Sequence, residues 1–171
     1  MRRLAVVLLL ATGCMVSRSH DTPLVDAVRS GDAPQIRALC ARGADPNEPS
    51  GGNGWTPLLH AIHKNQIESV KALLDAGANI DRTSPSQTSP LMMAAGYGSE
   101  EMVALLLQRG ANPRLSDDEG ASALDYALSG VPDLDAFTLF RCQNSTVKLL
   151  KRVSPPAQAN SERWARIKGC E

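Results

Sequence analysis

The chain has 171 residues, with 18 lysines and arginines against 18 aspartates and glutamates, so its formal charge is zero. A neutral chain lacks the basic surface that neutralises phosphate groups, which excludes a typical nucleic-acid binder. Aromatic residues make up only 4%, too few for the stacking platforms that bind single strands. We therefore expect one small domain that has no nucleic-acid partner. We also expect the protein to be a monomer.

The N-terminal segment has the pattern of an export signal. Two arginines at positions 2–3 are followed by an apolar stretch at residues 4–11, which is too short to span a bilayer. The sequence Ala-Thr-Gly-Cys at residues 11–14 resembles a bacterial lipobox, in which cleavage before the cysteine leaves that cysteine lipidated. The pattern therefore predicts a lipoprotein-type signal peptide.

This signal predicts a periplasmic, membrane-anchored lipoprotein. We expect residues 1–13 to be removed, Cys14 to carry the lipid as the only membrane contact, and residues 14–21 to form a linker. Met15 follows the cysteine, and the lack of an aspartate there favours the outer membrane over the inner one. The alternatives are ordinary signal cleavage near this point, with Cys14 removed or left as a thiol, and a start codon placed too far downstream.

Three segments of the chain repeat one pattern, with starts separated by 34 and then 33 residues. They begin at Thr22, Thr56 and Ser89, each followed by proline, which predicts a hydroxyl N-cap and a proline in the first helical turn. Each copy ends in Gly-Ala, and a left-handed residue at the helix end is expected at Gly43, Gly77 and Gly110. The copies resemble the ankyrin repeat family, whose pattern is G-x-T-P-L-H-x-A-A, then a second helix ending in L-L-x-x-G-A-[DN].

The resemblance implies an all-α ankyrin-repeat solenoid of about four helix-turn-helix repeats with short hairpin loops. One repeat cannot bury its apolar face alone, so the stack supplies the core and the last repeat needs a modified cap. We expect the repeats to span residues 22–154 and a C-terminal cap or tail to span 155–171. The predicted repeats are 22–55, 56–88, 89–121 and 122–154.

The fourth copy, which begins at Ser122, is longer between its two helices. The distance from Ser122 to Leu149 is 27 residues, against 17 residues between the matching positions of each full copy. This difference predicts an insertion of ten residues at about 130–144. The insertion either extends the cap or forms a binding loop.

Export also decides how the other cysteines are interpreted, because the periplasm is oxidising. Cys40 aligns with Leu74 and Leu107, a position that we expect to lie in the core, so we predict a buried, inert thiol. Cys142 in the insertion and Cys170 in the tail are then left as partners. A disulfide between them is expected to stabilise the cap, provided that the geometry allows it.

The sequence contains no recognisable catalytic constellation. His60 and His63 lie three residues apart on one helix, a spacing that can present two metal ligands, but no further ligand lies near them in the repeat register. We interpret both as surface histidines and expect neither a metal nor a cofactor. Nucleophile-elbow and phosphate-loop patterns are also missing from the sequence, so we do not expect an enzyme.

The resemblance also implies where a protein partner binds. Ankyrin repeats usually contact partners through hairpin tips and exposed positions of the first helix of each repeat. Carried over by register, the predicted partner-binding residues are Arg29, Trp55, His63, Lys64, Tyr97 and Ser129, with Ser30, Thr88 and Ala121 beside them. Trp55 and Tyr97 matter most because aromatic side chains are enriched at binding hot spots. Local packing explains Trp55 equally well and explains Tyr97 slightly better.

The implied function is a non-catalytic protein–protein interaction module. Some small periplasmic repeat lipoproteins neutralise antibacterial toxins that act in the periplasm, including secreted lipases, so an immunity protein is one alternative. Another alternative is an envelope stress-protection helper, because some bacterial periplasmic ankyrin proteins resemble helpers of oxidant-detoxifying enzymes. The predicted partner is accordingly a protein, with a toxin and an envelope enzyme as the two specific candidates.

Overall fold

The structure of the chain is a computed structural model that describes residues 22–129 and 144–159. These residues form α-helices in successive pairs and contain two isolated antiparallel bridges, Ser50–Trp55 and Ser116–Ser122. The predicted all-α ankyrin solenoid is therefore confirmed. The helices are α1 Pro23–Ser30, α2 Ala33–Ala41, α3 Pro57–His63, α4 Ile67–Asp75, α5 Pro90–Tyr97, α6 Glu100–Gln108, α7 Ala123–Ser129 and α8 Asn144–Leu150.

The first helices of the repeats stack into one layer. Helix α1 contacts α3, α3 contacts α5, and α5 contacts α7, so that these four helices form an inner layer. The second helices lie on its other side, where α2 contacts α4 and α6 contacts α8. In the part of the chain that the structure describes, no helix is both long and apolar enough to cross a membrane.

The core lies between the two layers and repeats with the sequence. Ile36, Val70 and Val103 occupy equivalent positions in successive second helices and are completely buried. Leu58 and Leu91 do the same in the first helices. Each such side chain stabilises the fold by about 1.5–3 kcal/mol relative to an exposed one. Because both layers contribute to every interface, no repeat is stable without its neighbours.

The predicted N-caps are confirmed in all three full repeats. The hydroxyl oxygens of Thr22, Thr56 and Ser89 accept hydrogen bonds from the backbone N–H three residues later, at distances of 3.3, 3.3 and 3.2 Å. Proline follows each cap in the first helical turn, where no backbone N–H is needed. These caps fix where each first helix begins, and therefore where its exposed residues lie.

The predicted left-handed glycines are also confirmed. Gly43, Gly77 and Gly110 have φ values of 97°, 90° and 91°, a region that favours glycine. A second left-handed position follows the first helix in each of the first three repeats, and in the second repeat this residue is Asn65, with φ of 52°. Asparagine tolerates this conformation better than most other residues.

The burial pattern of α8 corrects the alignment of the fourth repeat. Leu150 is fully buried and Leu149 is only half-buried, so Leu150 is the equivalent of the buried Leu73 and Leu106. The predicted alignment with Leu149 was therefore one residue too early, and the fourth repeat exceeds the others by eleven residues rather than ten. Both leucines are apolar, so only the packing of α8 distinguishes them.

The predicted burial of Cys40 was overstated. The side chain of Cys40 contacts the core but remains partly exposed, as do Leu74 and Leu107 at the equivalent positions. Burial raises the pKa of the Cys40 thiol, and the negative charge of Asp45 raises it further. The thiol therefore stays protonated at neutral pH and is a poor nucleophile.

Residues 155–159 run back over the fourth repeat. The backbone N–H of Gln158 donates to Oδ1 of Asp125 in α7 at 2.5 Å, and Ala157 contacts the core. Asp125 is buried, and its Oδ2 accepts from the backbone N–H and the hydroxyl of Ser122, at 2.9 and 2.6 Å. A buried carboxylate thus joins the start of α7 to the segment that follows α8.

Candidate protein-binding surface

Trp55 is positioned by the hairpin between the first two repeats. Ser50 donates its backbone N–H to the carbonyl of Trp55 at 3.0 Å, which closes the hairpin. The side-chain oxygen of Asn53 accepts from the backbone N–H of Trp55 at 3.2 Å. The hairpin directs the half-buried Trp55 ring toward the inner layer, where it contacts the core and the rings of α3.

Three of the predicted partner-binding residues form one continuous group of rings. The ring centre of His63 lies 5.4 Å from that of Trp55 and 5.7 Å from that of Tyr97, with an edge-to-face arrangement in both cases. Nδ1 of His63 is 2.5 Å from the hydroxyl oxygen of Tyr97, a hydrogen bond between α3 and α5. His60 completes the group, with its ring centre 5.5 Å from that of Trp55. We call these four residues the aromatic cluster.

His60 differs from the predicted surface histidine. Only 6% of its surface is exposed, and Nε2 is 3.4 Å from the backbone carbonyl oxygen of Ser50. The Trp55 ring covers this position, so His60 supports the cluster from below. Within residues 22–129 and 144–159, no three His, Cys, Asp or Glu side chains are grouped to hold a metal ion.

The two polar rings at the exposed side of the cluster are uncharged at neutral pH. Burial lowers the pKa of His63, and the positive charge of Lys64 lowers it further. Burial raises the pKa of Tyr97 to about 12. The cluster therefore presents a partly exposed, mostly apolar surface with hydrogen-bonding groups at its centre, as is typical of interface anchors.

The other predicted residues lie around this cluster rather than in it. Lys64 is exposed at the end of α3, and Arg29 is exposed at the matching end of α1. The hydroxyl of Ser129 donates to the backbone carbonyl of Asp125 at 2.7 Å, so this side chain is engaged within α7. Arg29 and Ser129 occupy the register of His63 in the first and fourth repeats.

The neighbouring predictions have mixed outcomes. Ser30 is exposed and donates its hydroxyl to the carbonyl of Ala27 at 2.9 Å, while Ala121 is half-buried. Thr88 was expected at the surface but is buried, and its hydroxyl oxygen lies 3.3 Å from that of Tyr126. Thr88 occupies the same repeat position as Trp55. At this position Trp55 contributes to the partly exposed surface, whereas Thr88 forms a contact between two repeats.

Further assignments fall outside the residues that the structure describes. Lipidation of Cys14, the disulfide between Cys142 and Cys170, and the conformation of the insertion up to residue 143 stay predictions. The predicted signal peptide and linker, residues 1–21, also lie outside the described residues.

Comparison with known proteins gives ankyrin repeats over most of the chain. A family described as "Ankyrin repeats (3 copies)" matches residues 2–84, and one described as "Ankyrin repeats (many copies)" matches residues 73–127. The E3 ubiquitin-protein ligase KEG of Arabidopsis thaliana is 38% identical over 92 residues, 54% of this chain and 6% of the ligase. Zygote-specific protein 3 of Chlamydomonas reinhardtii is 36% identical over 126 residues, 72% of this chain and 33% of that protein.

A bacterial relative gives the same result. An ankyrin repeat-containing protein of Treponema pallidum (strain Nichols) is 33% identical over 110 residues, 64% of this chain and 37% of that protein. The chain thus spans between 6% and 37% of the length of these relatives, and the activities of the whole proteins do not carry over to it. Ankyrin repeats are protein–protein interaction modules, and this chain belongs to the ankyrin repeat family.

Proposed function

We propose that the chain is a non-catalytic, exported module that binds a protein partner through the inner layer of its solenoid. The observation that carries this proposal is the aromatic cluster, which joins the hairpin before α3, α3 itself and α5 in one partly exposed surface. Aromatic anchors held rigidly by their neighbours lose little conformational entropy on binding. The mechanism is occlusion or scaffolding of the partner without turnover.

The binding surface is tested by capturing partners from the cell envelope with the wild-type chain and with a Trp55→Ala, Tyr97→Ala double variant. We expect one near-stoichiometric partner that the double variant loses, because both ring contacts to His63 disappear. Loss of about 2 kcal/mol at each hot-spot residue corresponds to more than a hundredfold weaker binding for the pair.

The matched control is a Leu74→Ala, Leu107→Ala double variant, since these half-buried residues lie in α4 and α6, the outer helices that follow α3 and α5. It should retain the partner while losing a similar amount of stability, which thermal unfolding by circular dichroism measures for both variants. Retention of the partner by the Trp55, Tyr97 variant would place the binding site elsewhere and contradict the proposal. A captured toxin or hydrolase would make inhibition the mechanism, and a detoxifying enzyme would favour stress protection.

Anchoring at the periplasmic face of a membrane, preferably the outer one, is the second part of the proposal, and it rests on the lipobox-like residues 11–14. Replacing Cys14→Ala removes the atom that carries the lipid and is expected to move the chain from the membrane fraction to the soluble fraction. Cys40→Ala, at a partly exposed position of α2, is the matched control and should leave the chain in the membrane fraction. Membrane retention of the Cys14 variant would overturn the lipid anchor without affecting the binding surface.

A further inference from the structure

We infer that the aromatic cluster takes an acidic, apolar segment of its protein partner, with a carboxylate at Lys64 and His63 and an adjoining apolar side chain on Trp55 and Tyr97. This inference rests on the proposed binding function and specifies the chemistry of the partner. Three observations carry it, namely the shape of the ring surface, the hydrogen bonding of His63 and the distribution of charge around α3.

The ring surface runs without a break from the hairpin before α3, across α3, to α5. Trp55 contacts His63 and His63 contacts Tyr97, with ring centres 5.4 and 5.7 Å apart, and all three side chains are partly exposed. The three rings together expose more apolar area than one side chain does, and polar atoms flank this area. An aromatic or long aliphatic side chain of a partner is the group that buries this area best.

His63 provides a hydrogen-bonding group at a defined position of the surface. Its Nδ1 is engaged by the Tyr97 hydroxyl, while Nε2 makes no hydrogen bond to any residue within 22–129 and 144–159. A partner that covers the cluster must therefore supply a polar atom to Nε2, because a buried ring nitrogen without a hydrogen bond is costly. In the imidazolium form Nε2 carries a proton and donates, whichever nitrogen carries it in the neutral ring.

The charge around His63 favours a carboxylate as that polar atom. Lys64 is exposed and forms no ion pair with the residues that the structure describes. Helices α3 and α5 contain no aspartate or glutamate. A negative group at this position therefore meets a positive side chain and no negative one on the same two helices.

The helices that pack against α3 carry charges of both signs. On α1 the charged side chains are Asp26 and Arg29, of opposite sign and one helical turn apart. On α4 they are Glu68 and Lys71, which form an ion pair of 2.7 Å, followed by Asp75, which pairs with Arg109 at 2.9 Å. On α5 the titratable group is Tyr97 itself. The charges on these helices largely offset one another, so the net positive charge beside His63 comes from Lys64.

The probe is a random dodecapeptide library displayed on phage and selected at pH 6 against the full chain purified from the envelope. We expect the enriched peptides to share an Asp or Glu next to Phe, Trp, Leu or Met. The dissociation constant of one synthetic enriched peptide is then measured by fluorescence anisotropy for the wild-type chain and for Lys64→Glu, with Lys148→Glu as control. Lys148 is an exposed lysine of the outer helix α8.

We expect Lys64→Glu to weaken peptide binding about tenfold, since an attractive pair becomes a repulsive one, and Lys148→Glu to change it less than about twofold. Lowering the pH from 7.5 to 5.5 should tighten binding to the wild-type chain about threefold, because His63 gains a proton while carboxylates stay ionised. His63→Gln should lack this pH dependence while still binding at pH 7.5.

The inference is overturned if the enriched peptides lack acidic residues, if none is enriched, or if Lys64→Glu binds the peptide like the wild-type chain. Its failure differs from failure of the proposed function. An envelope partner that is lost with Trp55→Ala and Tyr97→Ala, but retained with Lys64→Glu, leaves the binding surface intact and removes only the acidic segment. An envelope partner retained by the double variant removes both.

Discussion

Protonation of His63 reports directly on how well the aromatic cluster is packed. Burial is the larger cause of its lowered pKa and the charge of Lys64 the smaller one. We expect nuclear magnetic resonance titration of the ring to give a pKa below about 6.5 in the wild-type chain. Tyr97→Ala should raise the pKa toward that ordinary value by exposing the ring, and Lys64→Gln should raise it less.

The sign of this shift also predicts a pH dependence of stability. A histidine whose pKa is lower in the folded chain binds more protons when unfolded, so its contribution is complete above about pH 6.5 and declines as the pH falls below that value. Urea unfolding of the wild-type chain and of His63→Gln at pH 7.5 and 5.5 isolates this contribution. A His63 pKa at or above the ordinary value would contradict both expectations.

The register of the repeats predicted Trp55, His63 and Tyr97 as partner-binding residues, because variable positions of the hairpin and of the first helix recur at a fixed spacing, and the structure brings these three rings into contact. It did not identify the burial of His60, which depends on the Trp55 ring folding over α3 from the preceding hairpin. The burial of Thr88 was not predicted for a related reason. Its burial depends on the Tyr126 hydroxyl, contributed by the next repeat. Contacts between repeats depend on the sizes of the side chains in both repeats. The repeat pattern gives the positions of these side chains but does not specify their sizes.

The end of α4 is held by the left-handed backbone of Gly77. A Cβ atom at this position would meet nothing within 4 Å, so the cost of a side chain comes from φ of 90° alone. We expect Gly77→Ala to lower the free energy of unfolding by about 1 kcal/mol and Gly77→Val by about 2 kcal/mol, measured by urea unfolding. The β-branched side chain is the more restricted at positive φ.

Asn65→Gly is the matched comparison, since Asn65 is also left-handed, with φ of 52°. Glycine relieves the strain there but adds freedom to the unfolded chain, so we expect a change of less than about 1 kcal/mol. Equal unfolding free energies for Gly77→Val and the wild-type chain would show that the loop relaxes without cost, contrary to this account.

The boundaries of the elements could be predicted from sequence wherever a local signal sets them. Thr56 and its proline begin α3, and Gly77 lies just after α4, so both ends follow from cap and backbone preferences. The register of α8 could not be predicted this way. Leu149 and Leu150 satisfy the same helical pattern, and only their packing against α7 and α6 selects Leu150 for the core.

The repeat period predicted the architecture of the solenoid, because each repeat of such a fold contacts only its neighbours. The C-terminal end is different. Asp125 and Gln158 are 33 residues apart, and their hydrogen bond depends on the chain returning from α8 to the start of α7. No periodic signal describes that return. The sequence predicted that a cap was needed, whereas the contact that joins residues 155–159 to the fourth repeat emerges only from the structure.

Because of this contact, the stability of the C-terminal end depends on Asp125. Asp125→Ala leaves the backbone N–H groups of Ser122 and Gln158 and the Ser122 hydroxyl without their buried acceptor, at a cost of about 3 kcal/mol. Because a solenoid frays from its ends, hydrogen exchange should accelerate in α7 and α8 while α3 and α4 keep their protection.

Asp26→Ala, at an exposed position in α1, is the control and should leave exchange in α7 and α8 unchanged. Uniform acceleration along the whole chain would instead mean that the four repeats unfold as one unit, with Asp125 stabilising all of them equally.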